Sequence, residues 1–179
     1  MWKYILLGMA GVIALLFVIS LFMKKEMVVV RDITIDRPVD QVFAYVRNLK
    51  SQDHYSKWVM ADPAMTKGYK NIDGQPGFIY SWESTKKDVG KGEQEIIRID
   101  EGRRVISEVR FERPMTGVAQ NIIETTPIGS KTKVQWRFVN NMNCPMRIFA
   151  LFMNIDKILG KDLEVSLQRL KSNLELNPV

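Results

Sequence analysis

The sequence predicts an α+β domain in which a curved antiparallel sheet of about seven strands wraps around one long C-terminal helix, preceded by an N-terminal transmembrane helix. Three stretches carry the prediction: a helical apolar stripe over 145–176, a series of β-type segments between Thr66 and Met142, and an uncharged apolar run over 4–23. The chain of 179 residues, 46% hydrophobic, suits one domain plus an appendage, with an anchor over 1–25 and the domain over 26–179.

Tyr4 to Met23 is twenty residues without a charge, flanked by Lys3 and by Lys24 and Lys25. Twenty helical residues match a hydrocarbon core of roughly 30 Å. A cleaved signal would end in small residues, whereas Leu21, Phe22 and Met23 stand there. The expectation is therefore a single-pass membrane protein. Lys24, Lys25, Arg31 and Arg37 after the span, against Lys3 before it, place the domain in the cytoplasm by the positive-inside tendency.

Met27 to Ile35 reads as a strand, ended by Asp36-Arg37-Pro38. Val39, Val42, Phe43, Val46 and Leu49 then step by three and four through a short helix that begins beside Pro38. From Ser51 to Met65 the aromatic residues Tyr55 and Trp58 suggest a short helical or irregular segment folding back on the sheet. Strands follow near 66–71, 77–84, 91–100, 103–112, 115–126 and 131–142, broken by Asp73-Gly74-Gln75-Pro76-Gly77, Lys86 to Gly90, Glu101-Gly102 and Pro127-Ile128-Gly129. Short links make neighbours antiparallel. Val134, Trp136 and Phe138 alternate with Lys133, Gln135 and Arg137, which assigns the aromatic face to the interior; Phe78, Tyr80 and Trp82 repeat the signal. In the strand from 115 both faces are mixed, and parity stays open.

The helix from Pro145 carries Ile148, Leu151, Phe152, Ile155, Leu159, Leu163, Leu167, Leu170 and Leu174 on one face, with Asp156, Lys157, Lys161, Glu164 and Lys171 opposite. Thirty residues at 1.5 Å each make about 45 Å, too long for one hairpin to cover. A broad sheet must grip it.

This order of elements resembles the helix-grip fold of the START-like SRPBCC superfamily, in particular its bacterial polyketide cyclase/dehydrase and lipid-transport branch. The resemblance is carried by Ile33 to Val46 (ITIDRPVDQVFAYV), Asp62-Pro63 with Met65, Tyr80 to Ser84 (YSWES), Val89 to Ile96 (VGKGEQEI), Gly129 to Trp136 and Pro145 to Leu174. It covers nearly the whole chain. It implies a scaffold whose members include enzymes, carriers and proteins of unknown role, and so implies no particular reaction.

Side-chain chemistry narrows the choice. His54 is the only histidine and Cys144 the only cysteine, too few for a zinc site, and nothing in the sequence joins them as a dyad. Gly90-Lys91-Gly92 is too short for a phosphate loop, and Arg103-Arg104 lacks a nucleic-acid recognition signature. No catalytic set, metal, cofactor or nucleic acid is expected. The net charge of +6 is interleaved with acids along the chain and reads as solubility.

What remains is an apolar interior with sparse polar groups, the usual character of a ligand cavity. Tyr80, Trp82, Asn121, Trp136, Phe138, Phe149 and Phe152 are the expected lining, with plain core packing the competing reading for Trp136 and Phe138. A buried Tyr80 hydroxyl or Asn121 amide needs a partner, which a ligand or trapped water would supply. The leading expectation is membrane-anchored binding or transport of a small hydrophobic ligand or lipid, with the membrane contacted through 4–23. A cyclase/dehydratase acting on a polyketide-like or aromatic substrate, polarised by Tyr80 or Asn121, is the alternative. A protein-binding module with a packed core is the third.

Overall fold

The computed structural model describes residues 26–142 and 154–176, together with 2–6, 8, 9, 11 and 17. Strand β1 (Glu26–Ile35) leads into α1 (Val39–Val46) and two 3₁₀ turns (Leu49–His54 and Val59–Ala61). Strands β2 (Thr66–Lys70), β3 (Ile79–Glu83), β4 (Lys91–Asp100), β5 (Arg104–Arg113), β6 (Gly117–Ile128) and β7 (Lys131–Asn141) follow, and α2 (Ile155–Leu176) closes the chain. All strands join one antiparallel sheet in the order β1-β7-β6-β5-β4-β3-β2. Apart from β1, which returns to pair with β7, each strand lies beside its neighbour in sequence, as the short links require.

Alternation sets the faces. Val134 and Trp136 are fully buried between half-buried Lys133 and Gln135. In β6, where the sequence left parity open, Ala119, Asn121, Ile123 and Thr125 turn inward. Ile97 is the extra residue of a bulge in β4, because Ile96 pairs with Ser107 and Arg98 with Ile106. Such a bulge bends its strand and increases local twist. The concave face follows from it.

Helix α2 lies over the β1 side of that face. Leu163, Leu167, Leu170 and Leu174 are buried against Val29, Ile35, Val42, Val46, Tyr55 and Trp136. Arg31 fastens the start of α2 through Glu164 (2.6 Å) and Asp156 (3.2 Å), its guanidinium lying so close over Gly160 that a Cβ there would collide with it. At the far end Arg37 donates to Leu174 O and Glu175 O, both at 2.8 Å, and so satisfies carbonyls that the last helical turn leaves free. A second cluster, with Phe43, Leu49, Met65, Phe78, Tyr80, Ile96 and Val105, fills the opposite end of the sheet. The helix thus covers only part of the concave surface.

One expectation needs correction. Among the described residues no helix is long and apolar enough to cross a membrane, so the single-pass membrane location with a cytoplasmic domain is not supported. A crossing helix needs about 20 predominantly apolar residues. The described helical residues at the N-terminus are 2–6, 8, 9, 11 and 17, and the 22-residue α2 carries Asp156, Lys157, Lys161, Asp162, Glu164, Arg169 and Lys171. Most of 4–23 lies outside the described residues. So does the expected first part of the final helix, with Ile148, Phe149, Leu151, Phe152 and Cys144.

Candidate functional site

Between the uncovered sheet, the 49–61 turns and the first turns of α2 lies a cavity of about 270 Å³. Its floor is Gln94, Val109, Phe111, Asn121 and Phe138 from β4 to β7, and its back wall is Tyr80 and Trp82 from β3. Gln52, Ser56, Trp58, Val59 and Met65 close one side, and Leu159 of α2 the other. Asp88, Val89, Arg113 and Pro114, from the β3–β4 and β5–β6 connections, form the rim.

Glycines shape this wall. A Cβ on Gly92 would meet Arg110 O at 2.5 Å and the Trp82 ring at 2.7 Å, so a bare backbone lets the indole lie flat against β4. The Trp82 Nε1–H donates to Val89 O at 3.2 Å, which ties the wall to the rim. At Gly90 the backbone has φ +64° and sits against Arg113 O, leaving no room for a side chain.

Of the seven expected lining residues, Tyr80, Trp82, Asn121 and Phe138 border the cavity. Trp136 does not. It is fully buried beneath Tyr55 and Trp58, with edge-to-face ring contacts at 5.9 and 6.1 Å, and it belongs to the core. Phe149 and Phe152 lie outside the described residues. Gln52, Ser56, Trp58, Val59, Met65, Gln94, Val109, Phe111 and Leu159 were not anticipated. For Gln94 the signal was present, since Glu93 and Glu95 on the outer face oblige the residue between them to turn inward. Gln52 sits in a 3₁₀ turn, where no period of two or 3.6 reports a face.

The polar groups expected to await a partner are partly satisfied by the protein. The Tyr80 hydroxyl donates to Asp53 Oδ1 at 2.8 Å, and Lys67 Nζ lies 2.9 Å from the other carboxylate oxygen. Burial, reinforced by Asp53, raises the Tyr80 phenol far above its ordinary range, so its proton is held. Trp136 Nε1 donates to Asn121 Oδ1 at 2.9 Å. Gln94 Nε2 donates to Ser107 Oγ at 2.7 Å, and Ser107 donates onward to Asn121 O at 3.5 Å. The Gln52 carboxamide has no hydrogen bond to any described residue, although Gln52 is only 6% exposed. The Tyr55 hydroxyl is enclosed without a partner, the nearby Ser51 hydroxyl being given to Asn48 O at 2.6 Å.

His54 is exposed on its turn, away from the cavity wall. Among the described residues no group of three His, Cys, Asp or Glu side chains is arranged to hold a metal ion. Asp62 is buried but does not line the cavity; it accepts from Ser84 Oγ and from Ala64 N. The Ser84 hydrogen bond, outweighing burial, holds its carboxyl below the usual range. This pair joins the 62–65 turn to the end of β3.

A sheet gripping a terminal helix, with an apolar cavity left between them, defines a helix-grip α+β domain. The chain belongs to the family described as polyketide cyclase/dehydrase and lipid transport, whose profile matches residues 26–175. Solved structures agree on the fold. A crystal structure of a Mesorhizobium loti protein covers 86% of this chain and all of its own (100%), at 10% identity and a TM-score of 0.62. A solution structure from Thermobifida fusca covers 80% of this chain and 90% of its own, at 12% identity and a TM-score of 0.58. A structure from Rhizobium leguminosarum covers 85% of this chain and 96% of its own, at 15% identity and a TM-score of 0.57. Among functionally curated proteins none matches the sequence.

Proposed function

We propose that the protein binds a small hydrophobic molecule in the cavity beside the first turns of α2 and carries or sequesters it. The observation that supports this is the cavity itself: about 270 Å³ walled mainly by apolar side chains, in a domain whose remaining concave face is filled by two packed clusters. That volume is near the lower end of the roughly 300–1,000 Å³ of small-molecule sites. It suits one or two fused rings or a short acyl chain, not a two-chain lipid. Burying about 200 Å² of apolar ligand surface contributes roughly 5 kcal/mol before the costs of association, which by itself corresponds to a Kd of about 0.2 mM, so tighter binding draws on polar contacts as well.

The cyclase/dehydratase reading has less support. Its polarising groups would be Tyr80 and Asn121, yet the Tyr80 proton is given to Asp53, which leaves only the NH₂ of Asn121, whose Oδ1 is held by Trp136. The packed-core reading has to account for an unfilled volume.

Native mass spectrometry of the full chain, purified gently and extracted for small molecules, tests the binding reading. A co-purifying apolar molecule is expected, and it should be absent from Val109→Trp, which fills the cavity from β5. An empty wild-type chain whose melting temperature no panel of single-ring, two-ring and short-chain apolar compounds moves would overturn it.

A further inference from the structure

Besides Ser56, Tyr80 and the rim charges, the cavity's polar groups are three carboxamides. Gln52, Gln94 and Asn121, from the first 3₁₀ turn, β4 and β6, are 6%, 6% and 7% exposed and all border it. Their orientations follow from what their neighbours can do. An indole N–H only donates, so the Asn121 atom 2.9 Å from Trp136 Nε1 is the oxygen, and the Asn121 NH₂ has no acceptor among the described residues. Gln94 gives its Nε2 to Ser107 Oγ at 2.7 Å, and its Oε1 has no donor among the described residues. Gln52 accepts at its backbone carbonyl from Tyr55 N and Ser56 N, and its carboxamide has no partner among the described residues. Enclosed amides without partners destabilise a fold, but among the described residues only the Tyr55 hydroxyl is enclosed in that way, so the unbonded ends of these carboxamides keep accessible surface at the cavity they line.

We propose that these three residues recognise a ligand whose polar end pairs a carbonyl acceptor with an adjacent N–H or O–H donor and carries no net charge. The Asn121 NH₂ donates to the carbonyl, Gln94 Oε1 accepts from the donor, and Gln52, able to do either, completes the head. The charged residues at the cavity, Asp88 and Arg113, are both exposed on its rim, and Arg113 is engaged with Glu83 at 2.7 Å. An anionic or cationic head inside would be buried without a counter-charge. This inference rests on the cavity being a ligand site.

Isothermal titration of the full chain with three probes on one ring system tests it: 2-naphthamide, 2-naphthoate and 2-ethylnaphthalene. The amide should bind about tenfold tighter than either other probe, the worth of one or two net hydrogen bonds. Gln52→Leu should weaken the amide about fivefold and leave 2-ethylnaphthalene within about twofold, without lowering the melting temperature, because no internal hydrogen bond is lost. Gln52→Met, nearer in shape to glutamine, should behave alike and guards against a packing artefact. Equal binding of amide and ethylnaphthalene overturns the carboxamide head and leaves the cavity reading standing; tightest binding of naphthoate overturns it in favour of an anion site. Binding of none, with an empty chain in the mass spectrometer, removes the cavity reading and this inference together.

Discussion

Tyr55 and Tyr80 are two buried phenols in opposite hydrogen-bonding situations, and they separate what a hydroxyl costs from what it contributes. Tyr55 OH has no partner, so Tyr55→Phe is expected to leave stability unchanged or higher in urea unfolding. Tyr80 donates to a carboxylate, and Tyr80→Phe should cost about 1.5 kcal/mol in the same assay. Burial raises both phenols above their unfolded value. The folded state then holds its protons after the unfolded state has released them, so stability is complete below about pH 10 and falls as pH rises beyond it. Unfolding midpoints taken between pH 9 and pH 11 should show that slope in the wild type and a smaller one in the doubly substituted Tyr55→Phe, Tyr80→Phe chain. An equal slope in both would assign alkaline lability to other groups.

Among the elements, α2 owes its position to a stripe and two fasteners. Leu167 is 1% exposed in the middle of that stripe, and Leu167→Ala should cost about 3 kcal/mol through lost burial and a residual cavity. The link between the 62–65 turn and the end of β3 responds to acid instead. Asp62 is held below its unfolded pKa, chiefly by Ser84, so its contribution is present above the ordinary carboxylate value of about 3.9 and disappears as pH falls through the lower folded one. Ser84→Ala should therefore lower the melting temperature at neutral pH, with the gap to wild type closing in strong acid. A gap independent of pH would mean that Ser84 acts through its other bond, from Lys86 N at 2.9 Å.

For the molecule as a whole, the bulge at Ile97 and the partial coverage by α2 create a concavity that two clusters do not fill. Filling it should uncouple binding from stability. Val109→Trp is expected to abolish the thermal stabilisation that an apolar probe gives the wild type, about 2.7 kcal/mol at a hundred times Kd, while the empty variant stays folded. A variant that still responds fully to the probe would place binding elsewhere on the protein. The probe series separates apolar filling from recognition of a polar head.

The sequence by itself determined the strands, the short helix, the final helix and their order, because periods of two and 3.6 are local consequences of backbone geometry. It also determined the inward aromatic face of β7 and the aromatic fold-back at Tyr55 and Trp58. Tertiary structure alone decided that Trp136 is core while Phe138 borders a cavity, since the two share a face and differ only in what packs over them. It alone decided the parity of β6, where mixed apolar and polar residues on both faces give no contrast. It alone brought Gln52 opposite Gln94 and Asn121, because a 3₁₀ turn carries no face in its sequence and a cavity exists only between elements. The apolar run over 4–23 marks the converse case: composition predicted a membrane crossing, but a crossing also requires a continuous helix of sufficient length, and none is found among the described residues.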